Sequence, residues 1–202
     1  ILEKYIMDFY VNGDKIDVQL EDEKTVGDVL KSFEITCEQN NAAVIGIIVD
    51  GKTITADIFD EESKKELKPD TKLEFSIINV QTIKDSFEKL STLFKDLSDQ
   101  MEKIPVILQK GENKLAAESI AVLADSINQF CHLAALASLF PEDFTQTTID
   151  GMNFNDFFKE FSPILLDYEQ ALQNNDTVMI GDLSEYEICP RLKSISDSLK
   201  NM

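Results

Sequence analysis

Two carboxylates in Asp167-Tyr168-Glu169 and three in Asp182-Leu183-Ser184-Glu185-Tyr186-Glu187 flank the short break Asn174-Asn175-Asp176. Acids this dense could share a divalent cation or divide the roles of acid and base. Facing carboxylates repel unless a metal or a basic side chain stands between them. Asp167, Glu169, Asp182, Glu185, Tyr186 and Glu187 are therefore the functional candidates. A dinuclear bundle site would need a Glu-x-x-His pattern on two helices. The one histidine, His132, is preceded by Asn128 and Gln129 instead. Cys131 and His132 are chain neighbours about 100° apart round a helix, a poor placement for a nucleophile and its base. Glycine-rich phosphate loops and Gly-x-Ser-x-Gly are absent from the sequence. No catalytic residue, metal ligand or cofactor is assigned, and a non-enzymatic role is expected.

The same acids also fit the end of a helical domain. Leu183, Tyr186, Leu192, Ile195 and Leu199 share one side of a final helix. Tyr186 is expected in the interior or at its edge, with Glu185 and Glu187 wet. Asp182, just after Gly181, reads as a first-turn acid favoured by the helix dipole. Pro190 removes the hydrogen bond to the carbonyl of Tyr186. Upstream, Phe87, Leu90, Phe94, Leu97, Met101, Ile104 and Leu108 recur at three- and four-residue steps, one face of a helix that Pro105 bends or ends. Ala116, Ile120, Leu123, Ile127, Phe130, Ala134 and Ala137 form a second stripe, whose late alanines would let a neighbour approach closely. The segment 141–151 reads as a polar connection. Asn153 or Asn155 caps a third helix carrying Phe154, Phe157, Phe158, Phe161, Leu165, Tyr168 and Leu172. Four such stripes cannot be buried singly, and an antiparallel four-helix bundle over residues 80–202 follows.

Residues 1–79 have another period. Tyr5–Val11 reads as a strand, Asn12-Gly13-Asp14 as a turn, and Ile16, Val18 and Leu20 as the buried face of a second strand. Thr25 caps a helix with Asp28 three residues on, and Val26, Val29, Leu30 and Phe33 make its stripe. Ala43–Val49 is a core strand turned by Asp50-Gly51, and Lys72–Ile78 is the last strand. The order strand, strand, helix, strand, short elements, strand resembles the β-grasp, or ubiquitin-like, fold. Val11-Asn12-Gly13, Thr25-Val26-Gly27-Asp28-Val29-Leu30, Ile48-Val49-Asp50-Gly51 and Leu67-Lys68-Pro69-Asp70 resemble the sulfur-carrier proteins of thiamine and molybdopterin synthesis. That resemblance implies activation at a free C-terminal Gly-Gly. Here the last strand runs into Ile77-Ile78-Asn79-Val80-Gln81 and the chain continues to residue 202, so the fold is expected without the carrier chemistry. The fold class is α+β, a β-grasp domain followed by a helical bundle.

The net charge of -19 sets 38 acids against 19 basic residues. Such a surface repels nucleic acid and anionic membranes and suits a protein partner with a basic surface. Three separated cysteines, Cys37, Cys131 and Cys189, fit a reducing, cytoplasmic compartment. The apolar run Ala42–Val49 is far short of the roughly 20 residues a bilayer needs. No signal peptide is visible, and Asn175-Asp176-Thr177, a glycosylation match, is inert in the cytoplasm. The expected role is protein binding or scaffolding; the alternatives are a metal-dependent enzyme built on the acids and a regulatory subunit of a larger complex.

Overall fold

The computed structural model describes residues 7–111, 113–144, 148–200 and 202, without the side chains at 113, 115–117 and 120. The expected contributions of Tyr5, Ile6, Ala116 and Ile120 lie outside the described residues. The chain divides into two compact units, one ending at Thr82 and one beginning at Ile83.

In the first unit the strands are β1 (Asp8–Val11), β2 (Asp14–Ile16), β3 (Ala42–Val49), β4 (Lys52–Thr53) and β5 (Lys72–Asn79), in sheet order β2-β1-β5-β3-β4. The edge pairs are hairpins, and β1 runs parallel to β5. Helix α1 (Val26–Gln39) crosses between β2 and β3, and the one-turn helix α2 (Phe59–Glu62) precedes β5. A five-stranded mixed sheet with one long helix in this order is consistent with a β-grasp-like fold. Both expected hairpin turns form, with positive φ at Asn12 (50°) and Gly13 (90°), and at Asp50 (49°) and Gly51 (80°). Positive φ at both central positions is the geometry that matches strand twist. Asn12 also extends the sheet: its Nδ2 donates to the carbonyl of Ile77 and its Oδ1 accepts from the Ile77 amide at 2.9 Å.

The Thr25–Asp28 capping box is complete, with both reciprocal bonds present. It aims Val26, Val29 and Leu30 at Phe9, Leu73 and Phe75 in one core. The second strand is shorter than its alternation predicts. It stops at Ile16, yet Val18 and Leu20 still pack on the core. Among the described residues of this unit Glu62 is the charged side chain that is buried, 3% exposed, held by Lys52 Nζ at 2.7 Å and Lys65 Nζ at 2.6 Å on opposite oxygens.

The second unit is helical among its described residues: α3 (Val80–Met101), α4 (Ile104–Gln109), α5 (Asn113–Ala137), α6 (Pro141–Phe144), α7 (Phe154–Gln173), α8 (Thr177–Asp182) and α9 (Cys189–Leu199). The expected stripe from Phe87 to Leu108 is buried. Pro105 does not bend a helix. It opens α4, where a missing amide costs nothing. Asn153 caps α7 by accepting from the Asp156 amide at 3.0 Å. Serines tie α3 to α9: Ser91 Oγ donates to the Ser196 carbonyl and Ser196 Oγ to the Ser91 carbonyl, both at 2.8 Å, and Ser98 Oγ reaches the Cys189 carbonyl at 3.1 Å. Partners that fall in number along α9 as α3 rises make this pair antiparallel. The connection before α7 is less polar than expected. Ile149 is fully buried beside a tight turn at Asp150-Gly151.

Candidate functional site on the last helix

The residues from Thr177 to Leu199 make one helix with an irregular centre. Asp176 caps it, Oδ1 accepting from the Met179 amide at 3.0 Å. Asp182 therefore lies at the end of α8 rather than in a first turn, which corrects the sequence reading. Between α8 and α9, Leu183–Ile188 is a π-helical turn, closed by the Cys189 amide donating to the carbonyl of Ser184, five residues back. The cause is local. In an α-helix the Pro190 ring would strike the carbonyl of Tyr186. A wider turn relieves that clash and spends one extra residue.

The extra residue sets the phase of the face. Ile180, Ser184, Ile188 and Leu192, four apart each time, are buried, followed by Ile195 and Leu199, with Gly181 and Ser196 buried beside them. Four-residue steps repeated three times overshoot a period of 3.6 and rotate the intervening residues outward. Tyr186, expected in the interior or at its edge, is accordingly 65% exposed. Val178 at 73% and Met179 at 39% are exposed on the same helix. With Leu183, Tyr186, Asp176, Asp182 and Glu187 they line a shallow depression. Arg191 Nη1 donates to the Glu187 carboxylate at 2.6 Å and to the Glu187 backbone carbonyl at 2.8 Å. Asp182 and Glu185 are exposed.

Asp167 and Glu169 are exposed on α7. Between them Tyr168 is fully buried, its hydroxyl 3.2 Å from Ser184 Oγ. Loss of water raises the Tyr168 phenol pKa, and the Ser184 hydrogen bond offsets part of that rise. Because Tyr168 faces the last helix, its two acidic neighbours point about 100° away to either side. The acids of the two helices thus line different surfaces. No group of three His, Cys, Asp or Glu side chains able to hold a metal ion occurs among the described residues.

Sequence reasoning missed Val178 and Met179 as exposed apolar residues and Ser184 as a buried one. The available signal was the unbroken four-residue step from Ile180 to Leu192, which runs across Pro190. Among the described residues no helix is long and apolar enough to cross a membrane.

A small mixed α/β unit joined to a helical unit, with an acidic and partly apolar helix face, is the class these features define. The chain belongs to the family described as Domain of unknown function (DUF8042), which matches residues 80–198. Residues 7–79 match the family described as TP0873 N-terminal domain. The chain is similar to an uncharacterized protein of Treponema pallidum (strain Nichols), 27% identical over 199 residues, covering 97% of this chain and 98% of that one. No solved structure matches.

Proposed function

We propose that this is a non-catalytic binding protein whose last helix docks a basic protein segment. The observation that supports this reading best is the exposure of Val178, Met179 and Tyr186 beside Asp182 and Glu185. Apolar side chains supply contact area, and tyrosine brings a large rigid surface at low entropic cost. The acids around them favour lysine or arginine opposite and steer the encounter. The helical unit, read as a four-helix bundle, holds this face rigid. Three free cysteines accord with a reducing, cytoplasmic setting.

The test is capture from an extract of the native cells. The whole chain and a Val178→Ser/Tyr186→Ser variant serve as parallel baits. A basic protein retained by the parent, lost with the variant and released by salt is the expected result. Equal retention on both baits would remove the last helix from the reading.

The first unit is read as a β-grasp adaptor surface without sulfur-carrier activity, since β5 continues into α3 where a carrier would end in Gly-Gly. Incubation with ATP and a carrier-activating enzyme is expected to leave the mass of the chain unchanged. An adenylate or thiocarboxylate on it would reverse this.

A further inference from the structure

The helical unit contains a pocket of about 630 Å³ with an aromatic floor and walls. Phe130 lies at its base, 1% exposed, with Phe154 at 4.9 Å, Phe158 at 5.1 Å and Phe87 at 6.4 Å between ring centroids. Phe144 closes on Phe87 at 5.9 Å. The α5 side is built from Ala134, Ala135, Ala137 and Ser138. The sequence suggested that these alanines bring a neighbouring helix close. Of the two alanines of that stripe Ala137 is buried and Ala134 half-buried, Ala135 beside them is exposed, and the short side chains of all three line the pocket. Phe144, Phe154 and Phe158 are each only half-buried. Three phenyl rings left partly wet retain apolar surface that an occupant would remove from water.

The lining also says what the occupant is. In a chain of net charge -19, none of the side chains lining this pocket is charged. A charged ligand would lose its water there without a counter-ion. Lys84 is not part of the lining; its Nζ lies outside it, 5.9 Å from the centroid of the Phe144 ring. Two of the polar side chains at the rim are engaged. Ser138 Oγ donates to the Ala135 carbonyl, and the Asn153 amide is used in capping α7. Loss of water raises the Cys131 thiol pKa, so it stands there as a neutral thiol at neutral pH. Asn155, exposed on the rim, offers one neutral amide. The volume falls within the roughly 300–1,000 Å³ of small-molecule sites.

We propose that this pocket binds a small uncharged molecule with a largely hydrocarbon or aromatic body and at most one neutral polar group, a hydroxyl or carbonyl, that reaches Asn155. The site is separate from the docking face on the last helix, and neither reading depends on the other.

The experiment uses the full chain with N-phenyl-1-naphthylamine, an uncharged fluorophore that brightens on leaving water, and with decan-1-ol and decanoate as competitors. Saturable brightening is expected, with displacement by decan-1-ol and at least about tenfold weaker displacement by decanoate. Occupancy should also slow alkylation of Cys131. Ala135→Phe should weaken probe binding at least about tenfold while far-UV dichroism and the melting temperature are kept. If that variant does not fold, Ser138→Phe, at an exposed rim position, takes its place. Absence of saturable binding, equal binding by a folded blocking variant, or decanoate competing as well as decan-1-ol would each overturn the proposal. So would protection of Cys131 by raising the protein concentration alone, which would mark the pocket as an interface between copies of the chain.

Discussion

Glu62 and Tyr186 behave oppositely to what their residue types suggest, and each gives a prediction. Glu62 is charged but buried, and its carboxyl is held below the ordinary glutamate range by the hydrogen bond from Lys52 and then that from Lys65. The folded state therefore binds fewer protons than the unfolded chain at this group. Its contribution is complete above the unfolded-state pKa and is lost as pH falls through the depressed folded value. Glu62→Gln is expected to lower the melting temperature at pH 7, with the gap to the parent closing on acidification below the usual glutamate pKa. A gap unchanged down to pH 3 would mean that packing, not charge, makes the difference. Tyr186 is large and aromatic but mostly in water, so Tyr186→Ala should shift stability by no more than about 0.5 kcal/mol. Ile188, two positions on and fully buried, should cost about 2–5 kcal/mol as Ile188→Ala. Denaturant melts of the two variants check the rotation of this face directly.

Whether an element was legible in the sequence depended on whether its cause was local. The Thr25–Asp28 box, the Asn12-Gly13 and Asp50-Gly51 turns and the cap of α7 each arise from residues within a few positions of one another; the first three are legible in the sequence, and the cap is legible as one of two candidates, Asn153 and Asn155, of which the structure uses Asn153. The apolar stripe of α3 was equally plain, because an unbroken period of 3.6 is the mark of a helix buried along one face. The last helix was misread because its phase depends on one inserted residue, and an α-helical wheel drawn through it puts Tyr186 inside. The phenylalanine pocket was illegible for a different reason. Alanines on a helix permit close approach and permit empty space equally well, and only the placement of Phe154 and Phe158 across from them decides. The π-helical turn carries its own prediction. Deleting Glu185 changes the buried series Ile180, Ser184, Ile188, Leu192, Ile195 and Leu199 from steps of 4-4-4-3-4 to 4-3-4-3-4, which an α-helix satisfies. Made together with Pro190→Ala, which removes the ring that an α-helix would drive into the carbonyl of Tyr186, that deletion is expected to keep the fold and its melting temperature within a few degrees. Deleting Lys193, in the regular part of α9, should turn Ile195 and Leu199 away from α3 and cost several kcal/mol, on the scale of losing large buried side chains. Collapse of the Glu185 deletion to the level of the Lys193 deletion would show that the wide turn is needed for itself rather than as a register device.

At the scale of the whole chain, charge sets the response to the surroundings. With 38 acids against 19 basic residues, the folded protein concentrates like charge that the unfolded chain can spread out. The few ion pairs among the described residues, such as Lys15–Asp8, Lys72–Glu74 and Lys114–Glu118, are mostly at the surface, where each contributes little. Repulsion over longer distances therefore decides how stability changes with salt. The screening length falls from about 30 Å at 0.01 M to about 8 Å at 0.15 M, so repulsion is removed before close pairs are much weakened. Thermal stability is expected to rise between those two salt concentrations. The same screening acts in the other direction on binding: the proposed basic partner should associate more slowly and less tightly as salt rises, whereas the uncharged ligand proposed for the phenylalanine pocket should bind equally well at both. The measurements are melting temperature, partner association rate and naphthylamine affinity, each at 0.01 M and 0.15 M sodium chloride. A melting temperature that fell with salt would place the surface pairs above the net repulsion. A partner association rate indifferent to salt would remove the acids from the docking face and leave only its apolar residues, Val178, Met179 and Tyr186, to account for binding.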